Sequence, residues 1–273
     1  MKHLTLEDGT AVYALDMLTA QYVYNEIYRD NVYLKHGITV EDGDTVFDIG
    51  ANIGMFAKYL CEKKRDLKVY TFEPVPAIFS ALEKNLSGLK NTPVNINKAI
   101  GETEKRENIY FFPKVSADSA IVQVDFDRKI NMFVENFDQT IAKMMPVTKL
   151  IPKPLRPLML RLHRKWLYRS KKIPIEVTTT SSIIREYGIE QINLLKIDAE
   201  NYEWQVLSGI DDEHWKMIDQ ITMEVHSHIK NGSKMHTDVK NLLESKGFHV
   251  FLDTDDPMNT VGIYMLYAQK NRR

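Results

Sequence analysis

Residues 45–54 read TVFDIGANIG, and residues 55–64 continue as MFAKYLCEKK. An unbroken apolar run that ends on glycine, turns, and becomes an amphipathic helical pattern is the opening strand–turn–helix of a parallel α/β sheet. Working outward, KVYTFEP (68–74) reads as a second strand closed by Pro74, and AIFSALEKNL (77–86) as its helix. VNINKAIG (94–101) is predicted to be a third strand and NIYFFP (108–113) a fourth, at an edge. Further on come a helix near 181–187, the strand NLLKIDAE (193–200), a helix from Tyr202 and the strand QITMEVHS (220–227). A helix over 236–247 leads to two strand-like runs, FHVFLD (248–253) and GIYMLYAQ (262–269). No helix separates those last two, so they must pair antiparallel. Upstream, residues 4–40 read as a short hairpin and a helix over about 16–29. The predicted fold is a mostly parallel sheet with helices on both faces and an antiparallel C-terminal strand.

The chain has 273 residues, with 36 Lys and Arg against 37 Asp and Glu. A net charge of −1 lacks the positive excess of a nucleic-acid-binding protein. One cysteine, Cys61, rules out an internal disulfide and suits a reducing compartment. The N-terminus meets acids and a glycine before any apolar stretch, and no apolar run reaches 18 residues. A cytoplasmic protein is therefore expected.

One segment breaks the alternation. Residues 141–172 hold ten Lys or Arg and no Asp or Glu, which leaves −11 for the remainder of the chain (−1 minus +10). Four prolines (146, 152, 154, 157) make its first half irregular, and from Pro157 Leu158, Leu162 and Trp166 with Arg161, Arg164 and Arg169 describe a short basic amphipathic helix. With its flanks it reads as an inserted basic lid over 127–173. It is expected to dock an acidic partner or anionic substrate, with a membrane surface as the competing contact.

Candidate site residues cluster at strand ends. In Asp48-Ile49-Gly50-Ala51-Asn52-Ile53-Gly54, Gly50 permits a tight turn and Gly54 close helix packing, while exposed backbone N–H groups are expected to face a ligand. Asn52 replaces the middle glycine of the dinucleotide fingerprint. Glu73, 25 residues beyond Asp48, suits the two hydroxyls of a ribose. Asp198 and Glu200 alternate onto one face at the end of a buried strand, unless Glu200 merely caps the following helix. Glu224 and His226 share a face of the neighbouring strand, where a neutral imidazole is a natural proton acceptor and a carboxylate orients it. His226, His228 and Glu224 also suggest metal ligands, but H-x-H on a strand without cysteine support is weak, and no metal is expected.

The motifs DTVFDIGANIGMF, VYTFEPVPAIF, NLLKIDAENYEWQVLSGI and ITMEVHSH resemble the FkbM family of S-adenosylmethionine-dependent methyltransferases. A parallel sheet with an antiparallel end is typical of class I, Rossmann-like methyltransferases. YVYNEIYRDNVYLKHGI, FFPKVSADSA, IDDEHWKMIDQ and the tail LLESKGFHVF…IYMLYA resemble more closely the O-methyltransferase domains of polyketide and nonribosomal peptide assembly lines. The resemblance implies a methyltransferase domain over 41–273, with residues 1–40 capping the cofactor around Tyr33. It places S-adenosylmethionine over Asp48, Gly50, Ala51, Asn52 and Gly54, with the ribose on Glu73 beside Pro74 and the methyl group facing Asp198. It further implies O-methylation of a carrier-protein-bound natural-product hydroxyl or enol, with His226 as general base and Glu200 or Glu224 orienting it. Two positions depart from the family pattern: Asn201 stands where glycine usually follows D-x-E, and Thr180, Ser181 and Ser182 stand where T-L-D is common. The competing readings are methylation of a free small molecule or sugar hydroxyl, a nicotinamide-dependent oxidoreductase, and a non-catalytic module binding a partner or membrane through the basic segment.

Overall fold

The computed structural model describes residues 1–122, 126–138, 140–144, 146–227 and 234–270; His228 lies outside them. In chain order the elements are β1 (Lys2–Thr5), β2 (Ala11–Ala14), α1 (Met17–Tyr24), β3 (Thr45–Ile49), α2 (Met55–Lys63), β4 (Lys68–Phe72) and α3 (Pro76–Leu86). Then come β5 (Val94–Ile96), β6 (Ala99–Ile100), β7 (Lys105–Phe111), α4 (Phe126–Glu135), α5 (Ile141–Met144), α6 (Arg156–Leu167) and β8 (Lys171–Thr178). The chain closes with α7 (Thr180–Tyr187), β9 (Leu194–Ile197), α8 (Glu203–Ser208), β10 (Gln220–His226), α9 (Met235–Ser245), β11 (His249–Leu252) and β12 (Ile263–Gln269).

Seven strands form the main sheet in the order β11-β12-β10-β9-β3-β4-β5. From β5 to β10 neighbours run parallel, and β12 lies antiparallel to both β10 and β11. The period-2 alternation of buried strands separates two cores. Val46 of β3 packs with Met55, Leu60, Ile78 and Leu82 of α2 and α3, while Phe47 and Ile49 pack with Ile183, Val206 and Val239 of α7, α8 and α9. The class I methyltransferase architecture read from the sequence is the architecture present. Among the described residues, no helix is long and apolar enough to cross a membrane.

β3 pairs with β4 on one side and with β9 on the other, so successive crossovers leave in opposite directions there. That reversal opens a crevice beyond the carboxyl ends of the strands, the place where open α/β sheets bind ligands. The N-terminal segment is tied over this end of the molecule by polar contacts. Asn85 on α3 accepts from the Tyr13 N–H and donates to the Tyr13 and Ile53 carbonyls, each at 2.8 Å. Asp16 accepts from the Ser116 hydroxyl at 3.0 Å.

Three sequence expectations need correction. Residues 94–101 are not one strand: Asn97 donates to the carbonyls of Glu73 and Pro74, and this turn sends β5 to the main sheet and β6 to another. Residues 108–113 do not extend the main sheet, because β7 pairs antiparallel with β8 in a three-stranded sheet completed by β6. β8 went unread because its first residues, Lys171 and Lys172, belong to the basic run and Pro174 interrupts its pattern. The helix over 16–29 is α1 followed by a π-helical turn, Asn25–Arg29. α7 needs no acid at its start, since the Thr179 hydroxyl accepts from the Ser182 N–H at 2.9 Å.

Gly50 makes the tightest backbone approach of the sheet. Its φ is +72°, and a Cβ there would sit 1.7 Å from the Asp198 carbonyl oxygen. Gly50→Ala is expected to destabilise the protein by about 3 kcal/mol or more in denaturant unfolding. Gly188→Ala, with φ +61° but open space around it, is expected to cost only about 1 kcal/mol. Equal losses at both positions would show that the close approach is not a constraint.

Candidate active site

A cavity of about 1000 Å³ lies beyond the carboxyl ends of β3, β4, β9 and β10. The N-terminal segment walls it with Tyr22, Glu26 and Tyr33, and the insertion with Phe133, Leu160 and Tyr168. Among the candidate donor residues, Tyr33, Gly50, Ala51, Asn52, Glu73, Pro74 and Asp198 line it, and so do Glu200, Glu224 and His226.

Two candidates sit elsewhere. Asp48 is fully buried beneath the loop and faces Lys196, whose Nζ is 3.1 Å away. Gly54 starts α2 with φ +81° and lies against Leu82 and Leu86, which is the helix-packing role its position suggested. The first loop also differs from expectation in its hydrogen bonds. The N–H groups of Gly50 and Ala51 both donate to the Phe72 carbonyl at 3.0 Å, so they brace β3 against β4 rather than face a ligand. What the loop offers the cavity is its surface and the carboxylate it holds. Glu73 accepts from the Val75 N–H at 2.8 Å, and burial pushes its carboxyl up to about 8 although the N–H groups of Val75 and Asn52 oppose that shift.

Lys196 knits the two strand ends together. Its ammonium donates to the Gly50 carbonyl at 2.9 Å and lies 3.8 Å from Asp198. Burial disfavours its charge, yet Asp48 and Asp198 overcome that penalty and raise its pKa. Tyr33 donates to Asp198 at 2.9 Å, and the Lys196 ammonium lies 5.0 Å from the centroid of its ring. The cap residue named by the sequence is thereby bonded to the strand that bears Asp198.

His226 ends β10 with 2% of its surface exposed. Nδ1 lies 2.7 Å from Glu203 Oε1, while Nε2 lies 3.2 Å from Glu224 and 3.4 Å from Glu200. Neither Glu200 nor Glu224 therefore takes the orienting place on Nδ1; Glu203, which the sequence reading passed over, does. Burial favours the neutral ring, but the charges of Glu200 and Glu203 and the hydrogen bonds of Glu203 and Glu224 raise its pKa well above the ordinary value. Glu224 and Glu26 are themselves raised, chiefly by burial, with Asp198 adding to Glu224 and Glu224 adding to Glu26. The chamber is an acidic box with one buried lysine and one imidazole.

The turn that builds this box is backbone chemistry. Glu200 and Asn201 have φ of +43° and +70°, a left-handed pair that swings Glu203 back towards His226. Asn201 occupies the left-handed position that glycine usually fills in this pattern, and asparagine tolerates it well. Glu203 accepts from the Asn201 N–H at 2.9 Å, so it steadies the turn and the imidazole together. Glu200 does not cap the helix. The missed residues had weak signals: a lysine inside the buried run LLKI demands a buried partner, whereas Glu203 looks like any acid in a first helical turn.

The FkbM methyltransferase domain model matches residues 48–250. The 31-O-demethyl-FK506 methyltransferase FkbM of Streptomyces tacrolimicus is 29% identical over 276 residues, covering 98% of this chain and 96% of that protein. Methyltransferase sdnD of Sordaria araneosa is 26% identical, covering 90% of this chain and 88% of that one. The AMB antimetabolite synthetase AmbE of Pseudomonas aeruginosa is 28% identical over 96% of this chain, a stretch that makes up 12% of its own length. Fibrillarin of Aeropyrum pernix, solved with natively bound S-adenosyl-L-methionine, aligns with a TM-score of 0.44 at 13% identity over 97% of this chain and 92% of that one. The matched span runs from Asp48 at the end of β3, past the strand that ends on His226, into β11, and this chain belongs to the FkbM methyltransferase family, whose methyl donor is S-adenosylmethionine.

Proposed function

We propose that this methyltransferase acts on oxygen, methylating a hydroxyl or enol of a natural-product intermediate with His226 as general base. The observation that carries the reading is the buried imidazole at the cavity wall with Nδ1 fixed by Glu203. The names of the similar proteins, which include an O-demethyl-FK506 methyltransferase, support the substrate class.

The residues present fit the donor. Glu73 offers its carboxyl oxygens at the end of β4 for ribose hydroxyls, and Gly50, whose missing side chain lets the turn close against the Asp198 carbonyl, lines the cavity beside it. Asp198, Glu200, Glu224 and Glu26 give the walls the negative field that a sulfonium and an ammonium require. S-adenosylmethionine bound there supplies an electrophilic methyl group on sulfur. The chain's own residues do the rest. Tyr33 and the insertion exclude water, and the apolar walls position the acceptor. Glu203 holds a proton on Nδ1, which leaves the Nε2 lone pair to take the hydroxyl proton once the ring is neutral. Positive charge in the chamber offsets the carboxylates that keep the ring protonated, so the base becomes available when the site is filled.

Glu73→Ala is expected to weaken S-adenosylmethionine binding roughly 10- to 100-fold by calorimetry. Unchanged affinity in a folded variant removes the ribose assignment. His226→Ala is expected to lower kcat by about 10²–10⁴-fold while donor affinity stays near wild type. Loss of donor binding with little change in rate makes His226 structural. Because the raised pKa leaves the ring protonated at low pH, the rate should climb as pH rises through that pKa. Glu203→Gln removes a charge that raises it, so the rising limb should move to lower pH while kcat falls by roughly an order of magnitude. An unmoved limb would limit Glu203 to bracing the turn. The atom methylated is read by mass spectrometry and NMR of the product, where a methoxy group is expected and an N- or C-methyl group overturns the oxygen assignment.

A further inference from the structure

The inner side of α6 is fixed. Met159 and Leu160 pack on Ile130, Phe133 and Phe137, and Arg156 pairs with Asp138 at 2.9 Å while lying 4.5 Å from the centroid of the Phe137 ring. With that face anchored, the helix cannot roll. Its outer face then presents Leu158, Leu162 and Trp166, spaced four residues apart along one stripe, and Leu155 in the turn just before the helix stands three residues ahead of Leu158. They are 56%, 62%, 57% and 52% exposed, and Leu150 in the preceding turn is 82% exposed. A run of large apolar side chains open to water on a single stripe marks a contact surface.

The charge around the stripe selects what it contacts. Residues 141–172 contribute ten Lys and Arg and no acid, and Lys149, Lys153, Arg161, Arg169, Lys171 and Lys172 are all exposed. Lys114 adds a further ammonium 3.1 Å from the centroid of the Trp166 ring. A second copy of the chain is disfavoured as occupant, since a self-complementary contact would set cations against cations. An acidic protein would answer the charge but would need an apolar groove of its own to seat five large side chains. A lipid interface answers both, with anionic headgroups for the cations and acyl boundary for the leucines and the tryptophan.

We propose that the exposed face of α6, with Leu150 and the surrounding Lys and Arg, docks this enzyme on an anionic lipid surface. The rest of the chain, at −11, is repelled by that surface, so the molecule binds in one orientation. Leu160 lines the cavity from the opposite side of the same helix, which sets the site directly above the contact. The proposal concerns where the enzyme sits and is independent of the oxygen assignment, because binding is read without turnover.

The test is flotation of the full chain with vesicles of equimolar phosphatidylcholine and phosphatidylglycerol. Binding is expected, falling about tenfold or more on pure phosphatidylcholine and declining with salt as the screening length drops from about 10 Å at 0.1 M to about 3 Å at 1 M. Leu158→Glu with Leu162→Glu is expected to lose about tenfold or more of the vesicle affinity while retaining S-adenosylmethionine binding, which also certifies folding. Brominated lipid should quench the wild-type fluorescence, and Trp166→Phe should abolish most of that quenching. The proposal is overturned by no binding to anionic vesicles at low salt, by unchanged binding in the double variant, or by self-association through the stripe without vesicle binding. Capture of an acidic carrier protein by the same face, without vesicle binding, likewise overturns it.

Discussion

The buried ammonium of Lys196 is the point on which the site depends. It sits where β3 and β9 end side by side, between the carboxylates of Asp48 and Asp198 and against the Gly50 carbonyl. A lysine is buried this fully only when its charge is answered, and each partner here anchors a different part of the molecule. Asp48 lies within β3, Gly50 starts the tight turn, and Asp198 accepts from the Tyr33 hydroxyl of the N-terminal segment. One cation therefore fixes strand, loop and cap relative to each other. The glycine at position 50 is the steric counterpart, since any side chain would collide with the Asp198 carbonyl.

Above that anchor the chemistry is governed by an excess of carboxylates. Glu26, Asp198, Glu200 and Glu224 wall one chamber, and Glu203 stands behind the imidazole. Burial raises the pKa values of Glu26 and Glu224 most and the neighbouring carboxylates raise them further, a cost that a cationic group in the chamber would relieve. The same field makes His226 a stronger base but holds it protonated at rest. Coupling between cation binding and release of the ring proton follows from the charges themselves. Glu203 holds Nδ1 while Glu200 and Glu224 flank Nε2, the nitrogen that the proposed base reaction would use.

The insertion has two faces with different duties. Its inner residues form a small core of Ile130, Phe137, Ala142 and Leu160 and complete the cavity wall, while its outer residues are leucines set among cations. A lid that served only as a cover would have no use for exposed leucines, and a purely electrostatic tether would have no use for an inner core.

Much of this was legible in the chain alone. Strand runs such as TVFDIG and QITMEVHS, separated by helical patterns, determine a mostly parallel sheet because each buried strand must be covered by a helix. Glu73, Asp198, Glu200, Glu224 and His226 could be named because strand ends in such a sheet open on one crevice, and alternation tells which side chains share a face. Local periodicity, however, does not reveal partners distant in sequence. It could not show that β6, β7 and β8 leave the main sheet, because strand pairing is settled by competition for edges after the chain collapses. Nor could it show that Asp48 points at Lys196 rather than at a ligand, or that the loop N–H groups are spent on Phe72. The choice of Glu203 over Glu200 and Glu224 rests on two consecutive left-handed residues, a backbone turn decided by the fit of α8 beneath β10 and invisible to spacing.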